Sequence, residues 1–441
     1  MRSIGGLSRD EYLFGVLIAS VHAGQHVLFR LFPPLIPILV VDLDSPLWQL
    51  GLLVSVSMFA GGIFQAPMGI LSDRLDRLYL LAPAFVAMSF GYLIFVLAPG
   101  IGPMIPEISV GGHVFDGAYQ IMALGMFVVG IGYSAIHPVG YPLISANVAT
   151  ENKGKVLGMW GSASKVGDAV APFLIGAFIV VLPWEWILVG VSLFGFAYAF
   201  GLVFAFKSGP YETRPPETDD DRSSSSSQTA ETDRRQFWFP MAAVVLSFFF
   251  ILFAGNGLIT YAPVFVSDVY GFSVSMAGYT FEPASVANFY FGVLLMSGAI
   301  SQLVLGGLAD AYDYRAVLIS LLGVSAVALV VLATIDLTPV LLLVVFVVIG
   351  ATQFGLNPAR DALISEITPA EYEGRTFGYI WTLALVGSSI YPVVVGYVAD
   401  TSGLRASFAT LAIGAVGGLV CIALLYSPRV YQERTPAKRR S

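Results

Sequence analysis

The chain has little charge. Asp, Glu, Lys and Arg make up 12% of its 441 residues, about half the share of a soluble domain. A chain this poor in charge cannot clothe itself in polar surface, which excludes water as its only solvent. Cysteine is nearly missing. The one copy, Cys421, excludes an intrachain disulfide and any cysteine-cluster metal site. No Gly-x-x-x-x-Gly-Lys-Ser/Thr run is present, so there is no P-loop through which ATP could drive the protein. The loops hold no nucleophile–base pair and no metal-ligand set, so neither an enzyme nor a cofactor is expected. The net charge is −7 and the bases sit mainly in loops and tails, so nucleic acid is not an expected partner.

What the chain has instead is apolar length. Hydrophobic residues reach 56% and the mean hydropathy is +0.79. Runs long enough to cross a bilayer, about 20 residues or more, fall at 12–40, 47–71, 78–98, 119–146, 154–180 and 185–206. Six more fall at 237–266, 288–309, 316–335, 339–365, 375–398 and 405–427. The first run follows Arg2 and Arg9 and is interrupted by His22, His26, Arg30 and Pro33-Pro34, with no Ala-x-Ala site. It reads as a retained first helix, not a signal peptide. Between the two sets of six, residues 207–236 contain Pro215-Pro216, Asp219 to Asp221 and Ser223 to Ser227. That composition reads as a flexible cytoplasmic linker. The expected organisation is an all-α membrane protein of twelve helices: a bundle over 1–206, the linker, a second bundle over 237–427, and a tail over 428–441.

Loop charge orients the chain. With both termini in the cytoplasm, 18 of the 22 Lys and Arg lie in inner loops and tails, Arg30, Lys165 and Arg360 lie within spans, and Arg405 alone lies outside. This asymmetry is the positive-inside rule. It predicts a multi-pass protein of the cell membrane with cytoplasmic termini.

The two sets of six also repeat. Gly130, His137-Pro138, Ser145, Gly154, Gly158, Gly167, Pro172 and Gly176 recur 220 positions later as Gly350, Asn357-Pro358, Ser365, Gly374, Gly378, Gly387, Pro392 and Gly396. Between the second and third spans lies Gly69-Ile70-Leu71-Ser72-Asp73-Arg74-Leu75-Asp76-Arg77. A degenerate copy, Gly306 to Arg315 with Asp310 in place of Asp73, lies between the eighth and ninth. This loop, Gly-x-x-x-Asp-Arg-x-x-Arg, resembles the signature of the major facilitator superfamily, and the paired halves are what that family's fold implies. Within the family, His137-Pro138, Lys153-Gly154-Lys155, Pro33-Pro34-Leu35-Ile36-Pro37 and Gln65-Ala66-Pro67 look like the fosmidomycin-resistance-type efflux carriers. Two departures weigh against a drug antiporter: Met126 stands near where such carriers place an arginine, and Ala171-Pro172 replaces their Gly-Pro.

Ionisable groups inside a membrane are costly and mark function by default. His22, His26 and Arg30 recur every four residues on helix 1, which places them on one face, with Gln25 beside them. Lys165 and Asp168 share a face of helix 5. His137, Asn256, Tyr261, Gln353 and Asn357 are the further polar candidates. The resemblance implies a central cavity lined by helices 1, 4, 7 and 10, and so places both His22 and His137 at a substrate site. Each candidate also has a structural reading. Lys165 or Arg30 could merely neutralise Asp168. His137 could bond a carbonyl freed by Pro138. Arg360 with Asp361 could clamp an interface. Asn256 between two glycines could mark a helix break, and Trp160 and Trp381 could simply pack. His26, His137, Asp168 and Lys165 are the candidates for carrying a coupled proton.

Arg30, Lys165 and Arg360 outnumber the one obvious membrane carboxylate, Asp168, and spare positive charge favours an anion. The reading is a proton-coupled secondary transporter of a small organic solute, anionic in preference to cationic, acting as a monomer in the lipid bilayer. Multidrug efflux is an alternative, and a transporter-like solute sensor is one of a different class.

Two structural expectations follow. Asp73 should sit at the start of helix 11 near Gly374 and Arg375, with Asp310 at the start of helix 5. Those contacts, with Gly69, Arg74, Arg77, Gly306, Arg315 and Arg360 around them, would form a cytoplasmic latch, because a helix N-terminus favours an anion. Gly167, Gly176, Gly387 and Gly396 should let helices approach closely where the halves meet.

Overall fold

A computed structural model describes residues 6–215, 234–368 and 373–427. The side chains of 234–237, 306–311 and 373–378 lie outside that description. Among the described residues the chain forms twelve long helices. In the first half these are α1 (Arg9–Asp42), α2 (Leu47–Ser72), α3 (Leu78–Met104), α4 (Gly117–Asn147), α5 (Lys153–Phe178) and α6 (Trp184–Ser208). In the second they are α7 (Arg234–Phe265, continued by a π-helical turn Val266–Tyr270), α8 (Pro283–Ala311), α9 (Tyr314–Thr334), α10 (Pro339–Ile367), α11 (Glu373–Ser388 and Tyr391–Ser402) and α12 (Leu404–Tyr426). Eleven are apolar enough to cross a membrane by composition. α5 is as long, at 26 residues, but Lys165 and Asp168 lie within it and keep it out of that group. Large apolar side chains face outward around the bundle, among them Phe194, Phe200, Phe204, Leu303 and Val327. That is the surface expected of a body solvated by lipid.

Proline sets where the helices break. It offers no N–H and clashes with the preceding turn. α1 is interrupted at residues 30–32 ahead of Pro33-Pro34, α4 at Ser134 and Ala135 ahead of Pro138, and α10 at Leu356 ahead of Pro358. The breaks in α4 and α10 are equivalent by the repeat. The repeat is also visible in packing. A Cβ on Gly130 would collide with the backbone of α2 at Ser57, and one on Gly350 with the backbone of α8 at Leu294. Small residues let the backbones touch at the same place in each half.

Here the side on which α1 begins and α12 ends is called inner. The halves meet along α2 with α11 and α5 with α8, and they are joined near their outer ends. The Tyr261 hydroxyl donates to the Leu47 carbonyl at 3.1 Å, Asn288 Nδ2 to the Pro34 carbonyl at 3.0 Å, and Ser285 Oγ to the Gly176 carbonyl. The inner segments of α4 and α10 pack on helices of their own halves. Two of the four singled-out glycines serve the contact between halves. Gly176 faces Asn288 and Ser285 of α8, and Gly396 faces Trp48 of α2. The other two do not. Gly167 closes on Ala23 of α1 and Gly387 on the Phe249 ring of α7, each inside its own half. Both lie nearer the inner side, where α5 and α11 lean on their own bundles.

Two outer hairpins are additions to the helical plan. β1 (Ile108–Val110) pairs with β2 (His113–Phe115), and β3 (Val274–Met276) with β4 (Tyr279–Phe281), both antiparallel. Gly111 and Gly112 both have positive φ, 60° and 84°, as a two-residue primed turn requires. The chain leaving α6 folds back against the first half. Asn147 Nδ2 donates to the Glu212 carbonyl and the Glu212 N–H returns a bond to Asn147 Oδ1, at 2.8 and 2.7 Å. Tyr211 packs on Phe14 and Phe206. The start of the segment read as flexible linker is therefore tied to the inner face of the first half.

Candidate substrate and proton site

The polar stripe of α1 meets α5. Arg30 Nε donates to Asp168 Oδ1 at 2.8 Å, His26 Nδ1 donates to the same oxygen at 2.9 Å, and Lys165 Nζ reaches Oδ2 at 3.4 Å. The Asp168 side chain is only 5% exposed, whereas those of Arg30 and Lys165 keep 19% and 27%. One turn inward, His22 Nδ1 donates to the Trp160 carbonyl at 2.8 Å. Its ring stacks on the Trp160 indole, centroids 4.0 Å apart. The helical spacing placed His22, His26 and Arg30 on one face, and so they stand. That face is turned onto α5 and largely sealed by it.

His137 joins this group from α4. Its ring lies 5.3 Å from His22 and 5.8 Å from Tyr141. His22 Nε2, His26 Nε2, His137 Nδ1 and Trp160 Nε1 are buried without a partner among the described residues. Buried polar atoms seldom stay unpaired. Four ring nitrogens in one connected cluster are suited to a polar ligand, to water or to a travelling proton.

The second half contributes less than expected. Tyr261 is fully buried, and its hydroxyl is spent on the carbonyls of Leu47 and Pro392. It closes the outer contact. Gln353 is also committed, with Nε2 on the Ile251 carbonyl and Oε1 accepting from Ser325. Gln25 gives Nε2 to the Gly132 and Tyr133 carbonyls beside the α4 break, while its Oε1 is buried without a partner among the described residues. These amides satisfy backbone inside the bundle, which the membrane otherwise leaves unpaired. Asn256 and Asn357 are half-buried, and Asn256 Nδ2 is without a partner among the described residues.

The residues grouped as a latch divide. Asp73 and Arg74 are exposed, and Gly69 is half-buried near Pro138 of its own half. The opposing side chains needed for the latch, Gly306, Asp310, Gly374 and Arg375, lie outside the described residues. Arg77 instead bonds the chain beyond α6: its N–H donates to the Thr213 carbonyl at 2.9 Å and Nη1 to that of Arg214 at 3.4 Å. Arg315 does the equivalent in the second half. It donates to the Leu425 carbonyl, stacks 4.6 Å over Tyr426 at the end of α12, and pairs with Asp313. Burial pushes the Asp313 carboxyl up, but its bonds from Arg315 outweigh that and hold it below its ordinary value. The closing arginine of each loop thus staples the start of a third helix to the chain at or just beyond the end of a sixth. Arg360 is buried between the Phe248 and Trp381 rings, at 4.3 and 5.1 Å, and pairs with its neighbour Asp361. It clamps α7, α10 and α11 within one half.

The charged core can be found from sequence because each member is expensive in a membrane. Sequence alone does not mark Tyr133 and Trp160 as part of it. Tyr133 lies 5.7 Å from His26 and stacks on Phe29 at 3.8 Å. The available signal is position: Tyr133 directly precedes the α4 break, and Trp160 is the one large ring in the Gly- and Ser-rich inner half of α5.

Twelve helices in two repeated halves, with a charged cluster buried between lipid-facing walls, define a multi-pass membrane protein of the transporter type. Residues 18–297 and 283–441 match the Major Facilitator Superfamily, and the chain belongs to that family. It is 23% identical over 370 residues to a probable L-galactonate transporter of Escherichia coli (strain K12), covering 80% of this chain and 75% of that one. It is 21% identical over 154 residues to the quinolone resistance protein NorB of Staphylococcus aureus (strain JH9), 35% of this chain and 29% of that one. Among solved structures, a bacterial homologue of the human lysosomal transporter Spinster, inward-facing and occupied, superposes with a TM-score of 0.75 at 14% identity, covering 98% of this chain and all of that one. The nucleoside transporter NupG superposes at 0.69 and 13%, covering 94% of this chain and all of that one.

Proposed function

We propose that the protein is a secondary active transporter that moves a small organic anion across the cell membrane by alternating access, coupled to protons. The observation that carries this reading is the sharing of Asp168 among Arg30, His26 and Lys165. Taking an ion out of water costs several kcal/mol. Attraction between unit charges at 4 Å returns roughly 4 kcal/mol at an effective dielectric near 20. Three or four such groups are a poor way to stabilise a bundle, and their retention points to use.

With Asp168 ionised, Arg30 and Lys165 leave one positive charge in excess, on the two side chains that keep exposed surface. A carboxylate would be held there. Protonation of Asp168 would free Arg30 to bind, with His26, His22 and His137 as the path for the proton. The likeness to a probable L-galactonate transporter supports a sugar acid as the kind of anion. With the termini in the cytoplasm, the contacts between halves at Tyr261, Asn288 and Ser285 would close the extracellular side.

The test is flux into proteoliposomes of labelled L-galactonate and other hexonates, with and without an imposed pH gradient. One of them should be taken up saturably. Lys165→Gln should raise its KM, and Asp168→Asn should exchange anion without responding to the gradient. Movement of a quinolone with no anion flux would instead favour efflux, the reading that the likeness to NorB supports. Binding of an anion with no flux at all would make the protein a sensor.

A further inference from the structure

α2 begins without a cap of its own. Its N-cap is Pro46, in extended backbone (φ −64°, ψ 152°), with no side chain that can accept. Several other helices are capped by a side chain of their own segment. Ser8, Asp116 and Thr338 accept the N–H of Glu11, Tyr119 and Leu341. At α2 the acceptor comes from the other half of the protein. The Leu47 N–H donates to Asp400 Oδ1 at 3.0 Å and the Trp48 N–H to Oδ2 at 2.9 Å. Asp400 lies in the last turn of α11. One carboxylate therefore takes two of the orphan N–H groups at the positive end of α2. The two attachments converge on one residue, because Leu47 also accepts the Tyr261 hydroxyl. The indole of Trp48 is covered by His113 and Phe115 of the β1–β2 hairpin, at 4.6 and 5.9 Å.

We propose that Asp400 is the residue that biases the protein toward its outer-closed state, by capping α2 across the boundary between halves. Opening the outer side has to part α2 from α11. Parting them exchanges two charge-assisted bonds for bonds to water, so the cap favours closure by the difference. Asp400 is exposed, which keeps that difference small enough for a cycle to overcome. This inference does not depend on which solute is carried or on proton coupling.

The experiment measures the outer separation in full-length protein in lipid nanodiscs. Cys421→Ala supplies the background, with spin labels on cysteines placed at Leu182 and Ile335, both exposed at the outer ends of opposite halves. Asp400→Asn should raise the ratio of wide to narrow distances by about two- to tenfold, the scale of losing a helix cap. Asp400→Glu should hold the original ratio. Pro46→Asp gives α2 a cap within its own chain segment, at a backbone already suited to one. It should shift the ratio the same way with Asp400 intact and with no loss of melting temperature. A merely structural Asp400 would not produce that result. If Asp400→Asn fails to fold, Pro46→Asp decides alone. Unchanged distances in the variants that fold overturn the proposal.

Discussion

Arg30 and Asp168, 138 residues apart in the chain, meet through a single 2.8 Å bond from Nε to Oδ1. The bond joins the break in α1 to the middle of α5. Removing one partner of a buried pair leaves the other charge uncompensated, which costs about 3–5 kcal/mol for full burial. Arg30 is part-exposed, so Arg30→Gln should cost less, about 2 kcal/mol. Asp168→Asn in the same chain should recover most of it. The check is a double-mutant cycle by thermal melting in detergent, and simple additivity would deny the coupling.

Gly51 and Gly396 hold a slot for Tyr261. A Cβ at either position would collide with the Tyr261 hydroxyl oxygen. Overpacking of this kind costs about 1–3 kcal/mol. Gly51→Ala should therefore lower the melting temperature, and Tyr261→Phe should relieve part of the loss by removing the oxygen. Gly190, where an added Cβ would meet nothing within 4 Å, is the control, and Gly190→Ala should be neutral or slightly stabilising.

Gln25 guards the α4 break. Gln25→Leu strips the donor from the Gly132 and Tyr133 carbonyls. An unmet buried acceptor costs about 1–3 kcal/mol. The variant should melt earlier, and it should speed amide exchange at Ile136 and the residues after it without affecting α12. Equal exchange in both helices would show a global loss in place of a local one.

Arg77 should matter to the order of the chain after α6. Arg77→Ala removes the Nη1 bond to the Arg214 carbonyl, while the Asn147–Glu212 pair remains. Limited proteolysis should then cut near Arg214 several-fold faster, with flux kept. Unchanged cleavage would show that the Asn147 pair suffices to hold the segment.

The architecture was readable because its signals are long: twelve apolar runs and a 220-residue repeat that puts Gly130 and Gly350 in the same role. The charged part of the site was readable for a different reason. Arg30, Lys165 and Asp168 are too costly in lipid to be incidental. The uncharged polar residues were not readable. Tyr261, Gln353 and Gln25 could serve a solute or a stranded carbonyl, and only the neighbouring helix decides which. Nor could the loop signature reveal that Arg77 and Arg315 turn back on their own halves, because their acceptors lie beyond α6 and at the end of α12. The β1–β2 hairpin was legible in principle. Gly111-Gly112 between valine-containing strands is a turn signal, but it sits inside a stretch that reads only as a longer outer loop.

The composition of α5 bears on how the protein is made. A lysine and an aspartate near the centre of a helix each add roughly 2.5–3.5 kcal/mol to its insertion into a bilayer. Alone, α5 is a poor candidate for release into lipid by the translocon. α6, strongly apolar along its length, follows after a short turn and can carry it in as a pair. Arg30 and His26 of α1 then meet Asp168 and offset the charge. On this account α1 would have to wait beside the insertion machinery until α5 has emerged. Glycosylation mapping of a chain ending after α6 would reveal this: with Arg30 and His26 replaced by leucine, a larger share of α5 should be left outside the bilayer.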